Sequence, residues 1–228
     1  MILGDLKKAI YSYVGRNIGA AGDTSNGDLV ENSVDLCLLA INQARLTAQR
    51  NHDFVALEST YGASISKYGT SYDAFTTYPG GGSTVSMRTV KGVYEYALSS
   101  TNQIALAKKY DMQNVSEIDR VGGRDLSSER QFVYSFGRKL FLHDADATLV
   151  AVRGIALLAD LTNAGLAVGT DFFLTHGHDW LMFQSIRQLQ FLIKEDTRSQ
   201  ILDPIRNEAW FSLLKVDQDY ESNWTDLD

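Results

Sequence analysis

The spacing of apolar residues changes period twice along this 228-residue chain, and that double switch limits the architectures open to it. Both ends repeat every three to four residues, as a helix buried along one face requires. The middle, 59–169, breaks into short runs of Val, Ile, Tyr and Phe among Gly, Ser and Thr, as strands and turns require. A first helix is predicted from Asp5 to Tyr13 on Leu6, Ile10 and Tyr13, stopping at Gly15. Gly19 to Gly27 reads as a connection. A second helix is predicted from a cap at Asn26 or Asp28 to about His52, with Val30, Val34, Cys37, Ile41, Ala44 and Ala48 on its stripe. Leu29, Leu36 and Leu39 widen that stripe, so this helix is expected between other elements. The period returns from His178, where Met182, Ile186, Leu189 and Ile193 form one line with Trp180 and Phe183. The last helix carries Leu202, Ile205, Ala209, Leu213, Val216 and Tyr220, with Asp203 as its cap and Pro204 as its first residue.

Within the middle, strands are predicted over Thr89–Ala97, along the alternating run Gln131–Leu142, and over Thr148–Ala156, with Asp144–Ala147 as a hairpin loop. Ile104–Tyr110 reads as a short helix and Val115–Arg120 as a further turn. Pro79-Gly80-Gly81-Gly82-Ser83-Thr84 reads as a loop tip. The fold class expected is therefore α+β: a helical bundle from 1–58 and 170–228, with a β-rich insertion at 59–169.

Composition narrows the function classes. Apolar residues make up 44% and charged residues 21%, enough for a packed core. No apolar run approaches the ~20 residues of a membrane span. The start, Met1 to Lys8, lacks the order of a signal peptide, so a soluble, non-exported chain is expected. Cys37 is the single cysteine and lies on a helical stripe, which predicts an inert core residue and no intrachain disulfide. The net charge of −7 is concentrated at 201–228, which holds seven acids and two bases, so a basic nucleic-acid groove is not expected. Asn114-Val115-Ser116 and Asn223-Trp224-Thr225 read as chance matches to a glycosylation pattern.

The candidates for chemistry are few. His176-Gly177-His178 with Asp179 offers two imidazoles and a carboxylate, but no further ligand at zinc-site spacing. It reads better as a loop into a helix. Asp144-Ala145-Asp146 beside His143 reads as turn chemistry rather than a cation site. The triple-glycine loop lacks the lysine of a phosphate loop, and no G-x-S-x-G elbow is present. His52-Asp53 alone is half of a relay at most. No catalytic residue, metal or cofactor is expected.

Four segments carry more information. Ala40 to Phe54 closes the early helix on Arg50-Asn51-His52-Asp53-Phe54. Trp180-Leu181-Met182-Phe183 and Phe191 to Arg198 follow late in the chain, and then Ala209 to Tyr220 with Trp210, Leu213, Asp217 and Asp219. This order resembles the head-to-tail adaptor (connector) proteins of tailed bacteriophages, particularly short-tailed ones. In that family an early helix often ends in R-x-H-D-[WF], and late helices often show W-L…F-L-K-x-D-x-R and then W…L…D-x-D. The 111-residue middle is larger than in the compact adaptors. The resemblance implies a structural virion protein at the neck, made in the host cytoplasm and not embedded in membrane. It implies a homo-oligomeric ring, twelve-fold, beneath the portal protein, extending the channel through which double-stranded DNA passes without sequence-specific binding. A tail or nozzle protein would dock below. On that reading Tyr220, Trp224, Leu227 and Asp228 are the expected portal-binding residues, because an exposed tryptophan in an acidic tail asks for a partner. Gly80, Gly81 and Gly82 would form the tail-facing loop. The alternatives are another tail ring component (a tail terminator or nozzle) and, from a different class, a small metal-dependent hydrolase using His176, His178 and Asp179.

Overall fold

A computed structural model describes residues 1–16, 29–31, 34–65, 72–73, 86–98, 104–113, 132–136, 139–142, 148–162, 171–192 and 199–225. The chain is α+β, with five α-helices and ten strands among the described residues. It divides into two compact units: Met1–Ala56 with Asp160–Asp228, which is helical, and Leu57–Ala159, which is built of strands.

In the helical unit, α1 spans Leu3–Val14 and buries Leu3, Leu6, Lys7, Ile10 and Tyr11. It ends where the sequence predicts, at Gly15, whose φ of 67° lets the chain turn left-handed. The Arg16 amide then donates to the Tyr11 carbonyl at 3.1 Å. Tyr13, expected on the buried stripe, is 40% exposed, and Tyr11 takes the core position.

The second helix starts later than its apolar spacing predicts. β1 (Val30–Glu31) and β2 (Val34–Asp35) pair antiparallel ahead of it, and α2 spans Leu36–Asn51. The cap is Asp35, not Asn26 or Asp28: one carboxylate oxygen accepts from the Leu38 amide at 2.9 Å. The other takes the ammonium of buried Lys7 at 2.5 Å. β-Branched Val30 and Val34 favour the extended form, and Val34 is 48% exposed, so it is not a core position. Cys37, Ala40, Ile41, Ala44, Arg45, Ala48 and Gln49 are buried along α2.

Three helices complete this unit. α3 spans Phe172–His176, α4 spans His178–Leu192 and α5 spans Ser199–Thr225. α4 packs against α1, α2 and α5, and Trp180, Leu181, Gln184, Ser185, Ile186, Leu189 and Gln190 are buried on it. That wide burial suits a central helix. Met182, expected on the stripe, is only half-buried, and Leu181 is buried instead; Ile193 lies outside the described residues. On α5, Asp203 is not the cap and Pro204 is not the first residue, because the helix already runs from Ser199. Pro204 therefore withholds one amide from an otherwise continuous ladder. Asp203 instead pairs with Arg206 at 3.1 Å. Leu202 and Leu213 hold core positions, while Ile205 is 45% exposed.

The strand unit holds two sheets. β3 (Glu58–Ile65), β5 (Ser86–Leu98), β6 (Ile104–Lys109) and β10 (Thr148–Leu157) form one, in the order β3-β10-β5-β6. β4 (Tyr72–Asp73), β7 (Asp111–Gln113), β8 (Phe132–Phe136) and β9 (Lys139–Leu142) form the other, in the order β4-β9-β8-β7. All pairs are antiparallel except β7 with β8. The run Ile104–Tyr110, expected as a short helix, is instead the edge strand β6, with Leu106 opposite Tyr96 and Ile104 opposite Leu98. Pairing along β5 overrides its helix-compatible composition. The strands flanking the expected Asp144–Ala147 hairpin, β9 and β10, belong to different sheets; that loop, Gly80–Gly82 and Val115–Arg120 lie outside the described residues.

β10 is central, and Val150, Ala151 and Val152 are all buried, so both of its faces are covered. Gly154 sits at a register shift against β5, where a Cβ would meet the Thr89 carbonyl oxygen at 2.2 Å. Gly154→Ala must push two backbones apart. It is expected to destabilise this unit by about 1–3 kcal/mol, readable as a lower denaturation midpoint.

Glu58 accepts from Lys91 at 2.9 Å and also from Arg153, across three adjacent strands. Burial alone would lift its carboxyl pKa, but these two cations outweigh it and hold it below the ordinary glutamate value. A carboxylate lowered in the folded state adds stability above its unfolded pKa and loses it as pH falls through the folded value. Glu58→Gln is therefore expected to flatten the stability–pH curve below about pH 5. The loss at neutral pH is about 0.2–1 kcal/mol, because both cations are exposed.

Candidate functional site

Three of the segments quoted for the resemblance, 40–54, 180–183 and 209–220, meet in the helical unit; residues 193–198 of the fourth lie outside the described residues. α2 stops at Asn51, and His52 turns extended, with its amide still bonded to the Ala48 carbonyl. Its Nε2 lies 2.9 Å from Asp217 Oδ2. Asp217 is buried on α5, four residues after Leu213, at a position where a helix of this kind ordinarily carries an apolar side chain. Its second oxygen accepts from the Ala56 amide at 3.2 Å. One buried carboxylate thus fastens the 52–56 segment to α5 from both ends, and its own desolvation is offset by these partners.

Between the two attachment points Phe54 is fully buried. Its ring stands 4.7 Å from His52, 5.4 Å from Phe172, 5.2 Å from Phe173 and 5.9 Å from Trp210, mostly edge to face. Trp210 packs at 5.0 Å against Trp180 with the rings tilted by 48°, and Gly177 lies close under Leu213. His52 pairs with a residue 165 positions away, and the adjacent Asp53 is exposed.

A second polar chain lies along α2. Asn42 donates to the Leu161 carbonyl at 3.0 Å and accepts the Leu161 amide at 2.9 Å. Arg45, buried, donates to Asn42 at 3.2 Å and to Asp171 at 2.5 Å. Asp171 in turn caps α3 by accepting from the Phe173 and Leu174 amides. The sequence reading assigned no role to Asn42, Arg45, Asp171 or Asp217. For Asp217 a signal was present: an acid at a position in phase with the buried Leu213.

Of the expected portal-binding residues, Tyr220 is half-buried, its ring 6.3 Å from Phe172 and its hydroxyl 3.2 Å from His176 Nε2. The helix does not give way to a tail after Tyr220, because α5 continues to Thr225 and includes Trp224. Leu227 and Asp228 lie outside the described residues, as do Gly80, Gly81 and Gly82 of the expected tail-facing loop. His176 and His178 take separate partners: Tyr220 for the first and Asp179, at 3.3 Å, for the second. Among the described residues no group of three or more His, Cys, Asp or Glu is placed to hold a metal ion. Cys37 is buried, and burial, reinforced by the Asp35 charge, pushes its thiol up to about 12, so it does not ionise at neutral pH. No helix among the described residues is long and apolar enough to cross a membrane. No protein-family model matches the chain, and no curated protein matches its sequence.

Proposed function

We propose that this chain is a structural virion protein of a tailed bacteriophage, a head-to-tail adaptor that forms a ring beneath the portal. One observation carries the reading: three of the four segments that carry the resemblance, distant in sequence, are in mutual contact through His52–Asp217, Phe54–Trp210 and Trp180–Trp210. Residues of a shared motif that build one packed junction are the kind that persist while the rest of a chain drifts. The ring would extend the DNA channel, and with a net charge of −7 the chain would not hold the sliding phosphate backbone by bulk attraction. The strand unit would present the 80–82 loop to the tail or nozzle protein, and the role is architectural rather than catalytic.

The test is assembly on portal rings made from the portal gene of the same genome. Electron microscopy and co-sedimentation should show one ring of this chain per portal ring, with twelve copies. Portal rings left bare at saturating adaptor concentration overturn the proposal. Deleting Asn223–Asp228 removes Trp224, Leu227 and two carboxylates. That variant is expected to melt within about 1–2 °C of the full chain, since the proposal gives these residues to the portal contact and not to the helical core. Its portal affinity should fall at least about tenfold, with a weaker dependence on salt. Undiminished decoration at every salt concentration would place the portal contact elsewhere on the chain.

A further inference from the structure

The excess of acid in this chain belongs to one of its two units. Residues 57–159 hold eleven bases against ten acids, while the remainder holds ten bases against eighteen acids. Within the strand unit, one cluster of side chains crosses all four strands of the β3-β10-β5-β6 sheet. Glu58 of β3 bonds Lys91 of β5 at 2.9 Å and also Arg153 of β10. Arg153 bonds Tyr94 of β5 as well, and Lys109 of β6 sets its ammonium over the Tyr94 ring, 6.0 Å from the centroid. The outer edge of that ring leans over Gly92, where a Cβ would meet it at 2.9 Å. Lys91 joins the cluster through a bulge. The register against β10 steps from Gly92 opposite Arg153 to Val90 opposite Gly154, which leaves Lys91 as the extra residue, and a bulge of this kind re-aims a side chain. The Lys91 and Arg153 side chains are 40% and 44% exposed and Lys109 is exposed, whereas Glu58 is 14% exposed. Three cations therefore meet solvent around one covered carboxylate.

We propose that this sheet face docks an extended acidic segment of a partner protein; its placing on the tail side rests on the adaptor reading above, its chemistry does not. The sign of the partner follows from the surplus of cations on the face. Its extent follows from the register. Arg153 lies opposite Gly92 and Lys109 opposite Tyr94, so their backbones stand two strands and two residues apart, about 12 Å. A single carboxylate or phosphate does not span that distance. An extended polypeptide with acids at alternate positions carries them about 7 Å apart on one side and can meet the cations in turn. Single-stranded nucleic acid is the rival polyanion, and two features oppose it. Lys109 covers the face of Tyr94 on which a base would stack, and Glu58 sits between two of the cations, against a backbone charged at every nucleotide.

Fluorescence anisotropy of the full chain at low salt tests this with two labelled probes, the peptide Gly-Glu-Ser-Glu-Ser-Glu-Gly and a short oligothymidylate. The peptide should bind, and its counterpart with glutamine for glutamate should not. Lys109→Gln should weaken peptide binding at least about threefold while leaving the melting curve in place. Glu58→Gln should tighten it by about the same factor, because it releases Lys91 and Arg153 from an internal competitor. Lys8→Gln, at an exposed position on α1, changes the net charge as Lys109→Gln does and should leave binding unaltered. Absence of peptide binding, an equal loss with Lys8→Gln, weaker binding by Glu58→Gln, or tighter binding of the oligothymidylate each overturns the proposal. Portal decoration by a chain that ignores the peptide removes this surface and leaves the adaptor role standing. Peptide capture by a chain that leaves portal rings bare does the reverse.

Discussion

Truncating Phe54 to alanine is expected to cost the helical unit about 3–5 kcal/mol. The ring is fully buried and meets His52, Phe172, Phe173 and Trp210 at once, each on a different part of its edge or face. Its removal leaves a void walled by rigid aromatics, which collapse poorly into an empty space, so the cost belongs near the top of the range for core truncations. Loss of the ring also exposes the Asp217 carboxylate beside it to competition from water for His52 and Ala56. Urea denaturation followed by tryptophan fluorescence reads this directly, because Trp180 and Trp210 lie in the same cluster. A shift below about 0.5 kcal/mol, the scale of ordinary surface changes, would mean the cluster is not the core of this unit.

Asp171→Ala is expected to be comparably damaging, about 3–5 kcal/mol, because it strands the buried Arg45 guanidinium and uncaps α3 in one step. Asp171→Asn separates the two effects: it keeps an oxygen for the Phe173 and Leu174 amides but removes the charge facing Arg45. Combining Arg45→Met with Asp171→Asn should recover much of the loss, since an unpaired buried charge is worse than none. If the double variant is no more stable than Asp171→Asn alone, the ion pair is not what the site depends on.

The helices at either end were legible because a stripe every three to four residues survives local irregularity, and Gly15 marked the end of α1 correctly. The start of α2 was misread for a definite reason. Val30 and Val34 are four apart, as on a helix, but they sit in two short strands that pair with each other, and Asp35 supplies the cap. Ile104–Lys109 was misread because its partner strand, not its own composition, decides its state. The quoted motif residues were found by pattern, yet their junction depends on a contact between His52 and Asp217 that no local rule encodes. Arg45 and Asn42 look like solvent-facing polar residues of a helix until Asp171 and Leu161 arrive from 126 and 119 positions further along the chain.

That last attachment has an architectural consequence. Where the chain leaves the helical unit, the Ala56 amide is held by Asp217, and where it comes back, both backbone groups of Leu161 are held by Asn42. Exit and return are each clipped to a helix by a side chain that needs nothing from the hundred or so residues between them. A layout of this kind works as a socket. Evolution can lengthen, shorten or replace the cargo between residues 57 and 159 while the helical frame keeps its own closure.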